Sequence, residues 1–306
     1  MKNNFTGANA GERLDVFLTR MQPELSRSHI QKLIAANNVM VNGLRRKGNF
    51  KLKDKDIVEI DIPEPEMTEI LPEDIPLDII YEDKDIIVIN KARGMVVHPA
   101  AGVYSGTLVN ALMYHCEDLS GINGEIRPGI VHRLDKDTTG VMVAAKNDRS
   151  HLSLAGQIQA KSAFRIYNAL VWGNIKEESG IIRGDIGRDP ADRKKMAVVQ
   201  ENGKAAITHF RVLERFGEET LVECRLETGR THQIRVHMTY IGHPLLGDPK
   251  YGLGRHGRIR GGLPINGQAL HSLSLELTHP TTEKRMKFVA PLPEDMEKLI
   301  RSLRRK

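Results

Sequence analysis

The sequence predicts an α+β protein in which a small basic domain precedes a larger domain rich in strands. Two observations support this fold class: segments of strand character recur along the later part of the chain, and helical segments are inserted among them without regular alternation. The strand-like segments are residues 85–91, 140–146, 165–173, 205–213, 220–226 and 270–277, and the helical segments are residues 107–116 and 151–160. This order predicts a mixed, largely antiparallel sheet, because a doubly wound parallel sheet requires strands and helices to alternate.

A proline-rich acidic segment separates the two predicted domains. Residues 63–76 (PEPEMTEILPEDIP) contain four prolines and five acidic residues. Such a composition favours an extended, solvated chain, because proline disfavours helices and sheets and the like charges repel one another. We therefore predict an N-terminal domain over residues 1–65, a linker over about 63–76 and a second domain over residues 77–306.

The charge of the chain is unevenly distributed. The formal net charge is +6, and residues 27–55 contain eight lysines and arginines against a single acid, Asp54. The acidic residues follow at once, with eleven between residues 59 and 85 against one lysine. A positive region of this kind near the N-terminus favours a nucleic-acid partner.

Composition also excludes several classes of protein. No apolar run approaches the roughly 20 residues that cross a bilayer, and the first residues lack the apolar core of a secretory signal. The two cysteines, Cys116 and Cys224, have neither metal-ligand nor redox spacing. We therefore expect a cytoplasmic protein with no membrane partner and no metal site.

The N-terminal domain has the pattern of two helices followed by a small sheet. Apolar residues at helical spacing begin near Leu14, and Ser26 is a suitable N-cap for a second helix. Two strand-like segments, VMVNG (39–43) and DIVEI (56–60), flank the basic loop 44–55. This pattern resembles the S4-like RNA-binding module, which implies that cations of the second helix and the loop contact phosphates and position RNA without reading its sequence. These candidate RNA-binding residues are Arg27, Lys32, Arg45, Arg46 and Lys47.

Four motifs follow in order along the second domain. They are KARGMVVHP (91–99), HRLDKDTTG (132–140), FRIYNALVWG (164–173) and ETGRTHQIRVHM (227–238), and GHPLLGDPKYG (242–252) comes after the last. Together they resemble the RluA-type family of RNA pseudouridine synthases. The S4-like module and the segment IGRDPADRKKMAVV (186–199) are similar to the branch of that family that acts on large-subunit ribosomal RNA.

The resemblance implies an isomerisation that needs no cofactor. The N1–C1′ bond of uridine breaks, the uracil turns, and a C5–C1′ bond forms. Asp135 matches the family's catalytic aspartate, which either adds to C1′ or removes the 2′ proton. Taken alone, an aspartate next to Thr-Thr-Gly is more often a turn residue, and Asp137 is expected to have that role.

Four further residues are expected to contact the substrate. Arg133 lies two residues before Asp135 and, by the resemblance, fills the space left by the flipped base. Tyr167 offers a flat ring for the uracil, and Ile234 an apolar wall. Arg230 is expected to form a salt bridge that orients Asp135 and keeps it ionised. Histidines 98, 132, 232 and 237 are expected to support these groups, since their spacing does not fit a helical zinc pair.

Two alternatives stay open on these residues, one with the same chemistry and one from another class. One is a synthase that acts on transfer RNA, and the other is a non-catalytic RNA-binding protein of ribosome assembly. A nucleotide cofactor is not expected, because GLGRHG (252–257) is followed by RIRGGLP, which cannot begin an apolar helix. The chain departs from the family pattern at Ala92, where proline is common, and at Thr139, where serine is commonest. Neither position belongs to the expected catalytic residues, so these departures bear on the choice of substrate more than on the activity.

Overall fold

Contacts within the chain divide it into two units, Met1–Thr68 and Glu69–Lys306. The computed structural model describes residues 2–6, 10–22, 25, 27–61, 70–99, 103–116, 119–120, 128–252 and 265–305. The predicted N-cap Ser26, much of the linker and most of the glycine-rich segment 252–257 lie outside the described residues. In the described part of the chain, no helix is both long and apolar enough to cross a membrane.

The first unit packs two short helices on a small antiparallel sheet. Its elements are β1 (Lys2–Phe5), α1 (Leu14–Met21), α2 (Arg27–Ala35), β2 (Val39–Val41), β3 (Leu44–Arg45) and β4 (Val58–Asp61). The strands pair in the order β1-β4-β2-β3. Apolar residues three and four apart place Leu14, Phe17 and Leu18 on the face of α1 that packs against Ile30 and Leu33 of α2.

The second unit is built on a mixed sheet with helices on both faces. Its strands are β5 (Ile79–Glu82), β6 (Ile86–Lys91), β7 (Thr139–Ala145), β8 (Phe164–Trp172), β9 (Ser179–Arg183), β10 (Ile186–Arg188), β11 (Met196–Val198), β12 (Ile207–Arg215), β13 (Glu219–Leu226), β14 (Leu270–Thr278) and β15 (Arg285–Val289). Its helices are α3 (Leu108–His115), α4 (Asp148–Gln159), α5 (Gln233–Tyr240) and α6 (Glu294–Arg304).

The main sheet has the strand order β5-β6-β7-β14-β8-β13-β12-β9, with β15 paired to β14. Among the described strands only β7 and β14 pair in parallel, and the other pairs are antiparallel. The prediction of an α+β protein with a mixed, largely antiparallel sheet is therefore confirmed. The six predicted strands correspond to β6, β7, β8, β12, β13 and β14, and the two predicted helices to α3 and α4.

Burial on both faces explains the continuous apolar character of the central strands. Along β6, Ile87 and Ile89 pack in the core cluster that contains Leu108 of α3, whereas Ile86 and Val88 pack in the cluster that contains Leu154 of α4. A strand covered on both sides has no solvent face, so its sequence does not alternate. The buried centre of the sheet supports the segment before β7. That segment carries Asp135.

Candidate active site

A cavity of about 570 Å³ lies where three segments of the second unit meet. Most of its lining comes from residues 130–135 before β7, the first residues of strand β8, and residues 226–235, which lead from β13 into α5. Residues at the end of α4 and just after it, Ile158, Gln159 and Lys161, also contribute. The cavity is lined by every residue that the sequence predicted for catalysis or substrate binding, namely Arg133, Asp135, Tyr167, Arg230 and Ile234. Motifs about 100 residues apart in sequence are thus brought together in one place.

Asp135 lies in a turn that precedes β7, and not in a strand. The N–H of Thr138 donates to the main-chain oxygen of Asp135 at 3.0 Å, which closes the turn. The carboxylate is 18% exposed and reaches the cavity. Gly140 ends this segment with a φ of +107°, and a Cβ there would collide with the backbone of Ser272 on β14. The glycine of the Thr-Thr-Gly sequence is therefore required by the close parallel contact of β7 with β14.

Beneath the turn, a buried lysine holds its backbone. Nζ of Lys91 donates to the main-chain oxygens of Ala92, Met95 and Lys136 at 2.8, 2.8 and 2.9 Å. Nη1 of Arg93 donates to the main-chain oxygen of Asp137, and its Nε contacts Asp295 at 2.8 Å. Through these contacts the residues around Ala92 fix the loop of Asp135, although the chain lacks the usual proline.

Arg235 forms the ion pair with Asp135 that the sequence prediction assigned to Arg230. Nη1 of Arg235 donates to Oδ2 of Asp135 at 2.8 Å, whereas Nε of Arg230 donates to the main-chain oxygen of Ala205 at 3.0 Å. The prediction was wrong because Gln233–Tyr240 is a helix, and its first turn directs Arg235 towards Asp135. Arg230 precedes that helix, is exposed, and contributes to the cavity wall.

A second carboxylate completes the environment of Arg235. Nε and Nη2 of Arg235 donate to the two oxygens of Asp248 at 2.6 and 2.9 Å, and Asp248 also accepts from the N–H groups of Lys250 and Tyr251. Burial tends to raise the pKa of Asp248, but the guanidinium and the two N–H groups outweigh burial and lower it. The guanidinium is thus held in a fixed orientation by one buried carboxylate while it presents Nη1 to the other.

His232 lies beside this network. Its Nε2 is 3.9 Å from Oδ1 of Asp135, and its Nδ1 is 2.8 Å from the hydroxyl of Tyr251, which accepts from the N–H of Met196. Burial lowers the pKa of His232 to about 4, although Asp135 acts in the opposite direction. The imidazole is therefore neutral at pH 7. His232 precedes α5 with a φ of +57°, and its side chain does not cap the helix. The start of α5 is therefore hard to recognise in the sequence.

The opposite part of the cavity offers an aromatic and an aliphatic surface. Tyr167 is 5% exposed and Ile234 is 3% exposed, and both line the cavity. Burial raises the pKa of the Tyr167 hydroxyl, so the side chain is neutral at physiological pH. A flat ring and an apolar side chain in the same cavity offer surfaces on which a planar base can pack.

Two arginines at the cavity form few hydrogen bonds or ion pairs within the described residues. Nη1 of Arg133 is 3.3 Å from Nε2 of His98, and Arg133 is otherwise exposed. Arg165 lies two residues before Tyr167 on β8, is 6% exposed, and was not singled out from the sequence. Residues two apart on a strand share a face, so the spacing of Arg165 and Tyr167 on a predicted strand is the signal that could have placed Arg165 in the cavity.

The remaining histidines make local contacts with the protein. Nε2 of His132 accepts from the N–H of Val143 at 3.1 Å, and His237 bonds the Thr208 hydroxyl and the main-chain oxygen of Gly184. Two groups of potential metal ligands lie outside the cavity lining. They are Glu82, His115 and Cys116, and Asp83, Asp85 and His279. Both groups already contain short contacts between their own members, at 2.8 Å for His115–Glu82 and 2.7 Å for His279–Asp83.

In the first unit, the predicted RNA-binding cations differ in their surroundings. A cleft of about 530 Å³ is lined by Arg45, Arg46 and Lys47, which are exposed. Arg27 instead donates to buried Asp15 at 2.8 and 3.1 Å. Burial tends to raise the pKa of Asp15, but its hydrogen bonds from Arg13 and Arg27 lower this pKa below its usual value. Lys32 lies on α2, and its side chain is outside the described residues.

Comparison with known protein families identifies the chain. Residues 85–240 match the family model of RNA pseudouridylate synthases, and residues 12–58 match that of the S4 domain. The chain belongs to the RNA pseudouridine synthase family. The predicted resemblance is therefore confirmed, and the protein is an isomerase that converts uridine to pseudouridine in RNA.

Curated relatives match the chain over nearly its whole length. It is 54% identical to the uncharacterized RNA pseudouridine synthase YlyB of Bacillus subtilis, over 96% of this chain and 95% of that protein. It is 46% identical to the ribosomal large subunit pseudouridine synthase D of Zymomonas mobilis, over 96% of this chain and 94% of the relative. The protein of the same name from Pseudomonas aeruginosa is also 46% identical, over 96% and 92%.

Among solved structures, human RNA pseudouridylate synthase domain containing 4 has a similar fold. The TM-score is 0.58 at 29% identity, and the match covers 74% of this chain and 93% of the human chain. Human RNA pseudouridylate synthase domain containing 1 gives a TM-score of 0.55 at 26% identity, over 79% and 98%.

Proposed function

We propose that this protein isomerises specific uridines of large-subunit ribosomal RNA, with Asp135 as the catalytic carboxylate. The N1–C1′ bond breaks and a C5–C1′ bond forms, while the proton on C5 is lost and N1 gains one. The product is an isomer of the substrate, so the overall change balances without an oxidant, a reductant or an energy source. Two assignments go beyond family membership: the role of each residue and the class of RNA.

The position of Asp135 carries the proposal. Its carboxylate reaches the cavity while Nη1 of Arg235 holds Oδ2 at 2.8 Å. The held oxygen fixes the orientation, and among the described residues the ion-pair partner of Oδ1 is the more distant His232, at 3.9 Å. Whether a carboxylate adds to C1′ or removes the 2′ proton, one oxygen must face the sugar in a fixed direction, and this geometry provides it.

The other cavity residues have roles that suit a flipped nucleotide. Uracil that leaves the helical stack would lie against the ring of Tyr167, with Ile234 on the other side. Arg133 is exposed at the rim and long enough to occupy the position that the base vacates. Arg230, with one bond to a main-chain oxygen, is free to turn its remaining N–H groups to the RNA backbone.

The first unit would bind RNA through its exposed cations. Arg45, Arg46 and Lys47 line one cleft, and none of them has an ion pair among the described residues. Such cations attract phosphates irrespective of sequence. Arg27 and Lys32 on α2 are assigned to the same surface, although Arg27 also holds Asp15. Cations of this unit would add affinity, and the selection of a uridine would depend on the second unit.

Two relatives support ribosomal RNA as the substrate. Proteins named ribosomal large subunit pseudouridine synthase D from two organisms are each 46% identical to this chain over 96% of its length. At that similarity, over both matched regions, a shared class of RNA is the most economical assignment. The same assignment predicts a cytoplasmic location.

Mapping of pseudouridines tests the proposal directly. Cellular RNA from a deletion strain is treated chemically so that pseudouridine stops primer extension, and stops that disappear identify the sites. We expect losses in large-subunit ribosomal RNA, their return with the wild-type gene and with Asp137→Asn, and no return with Asp135→Asn. Asp137 is the matched control, since it is a carboxylate of the same turn. Losses confined to transfer RNA would reject the ribosomal assignment, and sites restored by Asp135→Asn would reject the catalytic one.

A further inference from the structure

Arg165 is a buried cation of the cavity that has no hydrogen-bond or ion-pair partner among the described residues. It is 6% exposed and lines the cavity. Its Nε is buried and has no hydrogen-bond partner, and within the described residues no ion pair or hydrogen bond is formed by its guanidinium. A buried charge without a counter-charge is costly, so a fold retains one where a ligand supplies the missing partner.

Other buried cations near the same cavity each have several hydrogen-bond acceptors in the protein. Arg235 donates three hydrogen bonds to two carboxylates, and Lys91 donates three to main-chain oxygens. Arg165 therefore differs from its neighbours by its lack of acceptors and not by its degree of burial. The fold can satisfy a buried cation in this region, and at Arg165 it does not.

The guanidinium of Arg165 extends along the cavity wall. Arg165 and Tyr167 project from the same face of β8, because side chains alternate along a strand. At Gly229, a Cβ would come within 3.1 Å of Nη1 of Arg165, so the guanidinium packs on a position without a side chain. Arg165 also lies near enough to Tyr167 to lower the pKa of its hydroxyl against the larger effect of burial.

The protein's own carboxylates near the cavity have other partners. Asp135 accepts from Arg235, and Glu227 is 2.6 Å from His209 and 3.6 Å from Lys161. An anion for Arg165 must therefore come from the substrate. RNA carries one phosphodiester anion per nucleotide, and the planar fork of a guanidinium suits two oxygens of a phosphate.

We propose that Arg165 binds a phosphodiester of the target nucleotide when its base lies against Tyr167. The inference depends on the proposed function, because it assumes that an RNA nucleotide enters this cavity. It assigns Arg165 as a substrate-binding residue whose charge is neutralised only in the complex. Free protein would then be destabilised by the same group that strengthens RNA binding.

Binding and stability of matched variants test this proposal. Arg165→Met removes the charge with a similar volume, Arg165→Lys keeps the charge without the fork, and Arg225→Met is the control. Arg225 is exposed on β13 and pairs with Ile166, so it projects from the opposite face of the sheet. Each change is made in the Asp135→Asn background so that the bound RNA, a fragment of large-subunit ribosomal RNA, is not converted.

We expect Arg165→Met to weaken RNA binding roughly 10- to 100-fold and to lower the slope of log K against log salt concentration by about one. Its Tm without RNA should equal or exceed that of the parent, because an unpaired buried charge is gone. Lysine should restore part of the affinity, and Arg225→Met should change neither quantity.

Two results would overturn the assignment. If Arg165→Met lowers Tm while affinity and salt slope are unchanged, Arg165 is a structural residue. If affinity is unchanged but single-turnover conversion by Arg165→Met with intact Asp135 falls at saturating RNA, the partner is the uracil anion released on bond cleavage and not a phosphate. Failure of the proposed function gives a different result, since the wild type would then leave the RNA fragment unmodified.

Discussion

Two walls of the cavity carry charged residues in opposite states. The carboxylate wall consists of the lining residues Asp135 and Arg235 together with Asp248, which holds Arg235, and each charge has a partner of opposite sign within 3 Å. The cation wall, which consists of Arg133, Arg165 and Arg230, contains no ion pair within the described residues, and its polar contacts there are to His98 and to the main-chain oxygen of Ala205. One wall has its ion pairs in the free protein, whereas we propose that an anionic ligand completes the other.

This difference separates two tasks of the site. Under the proposed function, the carboxylate wall would fix the reacting group before the substrate arrives, which would reduce reorganisation during the reaction. The cation wall would provide charge for a polyanion and would gain its partners on binding. Substitutions in the first should therefore change rate or folding, and substitutions in the second should change affinity and its dependence on salt.

The largest effect is expected from Asp135→Asn. The variant removes the reacting oxygen anion and keeps the shape of the side chain, so single-turnover conversion should fall by about 10⁴-fold or more. RNA affinity should change by less than about threefold, since the cation wall is intact. Rapid-quench assays of pseudouridine formation measure the first quantity and filter binding the second. An affinity loss that matched the rate loss would show that Asp135 positions RNA.

The next effect compares Arg235 with Arg230. Arg235→Met leaves Asp248 buried without its counter-charge, so the free energy of unfolding should fall by about 3–5 kcal/mol, and conversion should be lost with the orientation of Asp135. Arg230→Met removes one bond to a main-chain oxygen at an exposed position and should cost less than about 1 kcal/mol. Urea denaturation of both variants gives the two values. Equal losses would contradict the assignment of the ion pair to Arg235.

This pair of residues also shows where sequence reasoning stopped. Arg230 and Arg235 belong to one motif, and the motif placed the ion pair there but not on the correct arginine. The distinction depends on α5, which begins at Gln233 after a residue of positive φ and without a side-chain cap. The side-chain cap that usually marks a helix N-terminus is missing, so the start of α5 is not visible in the sequence. Only the fold separates the two arginines.

Long apolar strands were predictable, and short edge strands were not. Strands β6, β7 and β8 are buried on both faces, and their continuous apolar sequence identifies them. Strand β1, with the sequence KNNF, forms only because β4 offers it an edge, and polar residues of this kind have no strand preference of their own. Arg165 was missed for a related reason: a charged residue within a strand is usually exposed, and its burial follows from packing against Gly229.

A smaller effect tests the cations of the first unit. Replacing Arg45, Arg46 and Lys47 by alanine should lower the salt slope of RNA binding by about two and leave conversion at saturating RNA unchanged. A control removes the same charge from α6, where each cation already has a carboxylate partner. Those residues are Lys298, Arg301 and Arg304, paired with Glu294, Glu297 and Glu214. The same change of slope in both triple variants would show that net charge, and not the cleft, determines the salt dependence.

The smallest effect concerns the pH dependence of stability at His232. Its pKa is about 4 in the folded protein, below the ordinary value of 6.5, so between these values the unfolded chain binds more protons. Stability is therefore complete above pH 6.5 and decreases as the pH falls towards 4, by about 1–2 kcal/mol between pH 7 and pH 5. Urea denaturation at both pH values should show this decrease in the wild type and a smaller one in His232→Gln. An equal decrease in both proteins would assign it to other groups.

The contrast between the two walls is tested most directly by single-turnover conversion of a large-subunit RNA fragment at increasing protein concentration. The wild type, Asp135→Asn and Arg165→Met are compared, and equilibrium binding to the same fragment gives the affinity of the inactive variant. We predict that Asp135→Asn abolishes the maximal rate at unchanged affinity, whereas Arg165→Met requires roughly 10- to 100-fold more protein to approach a rate near that of the wild type. Conversion by Asp135→Asn, or loss of the same parameter in both variants, would contradict the account.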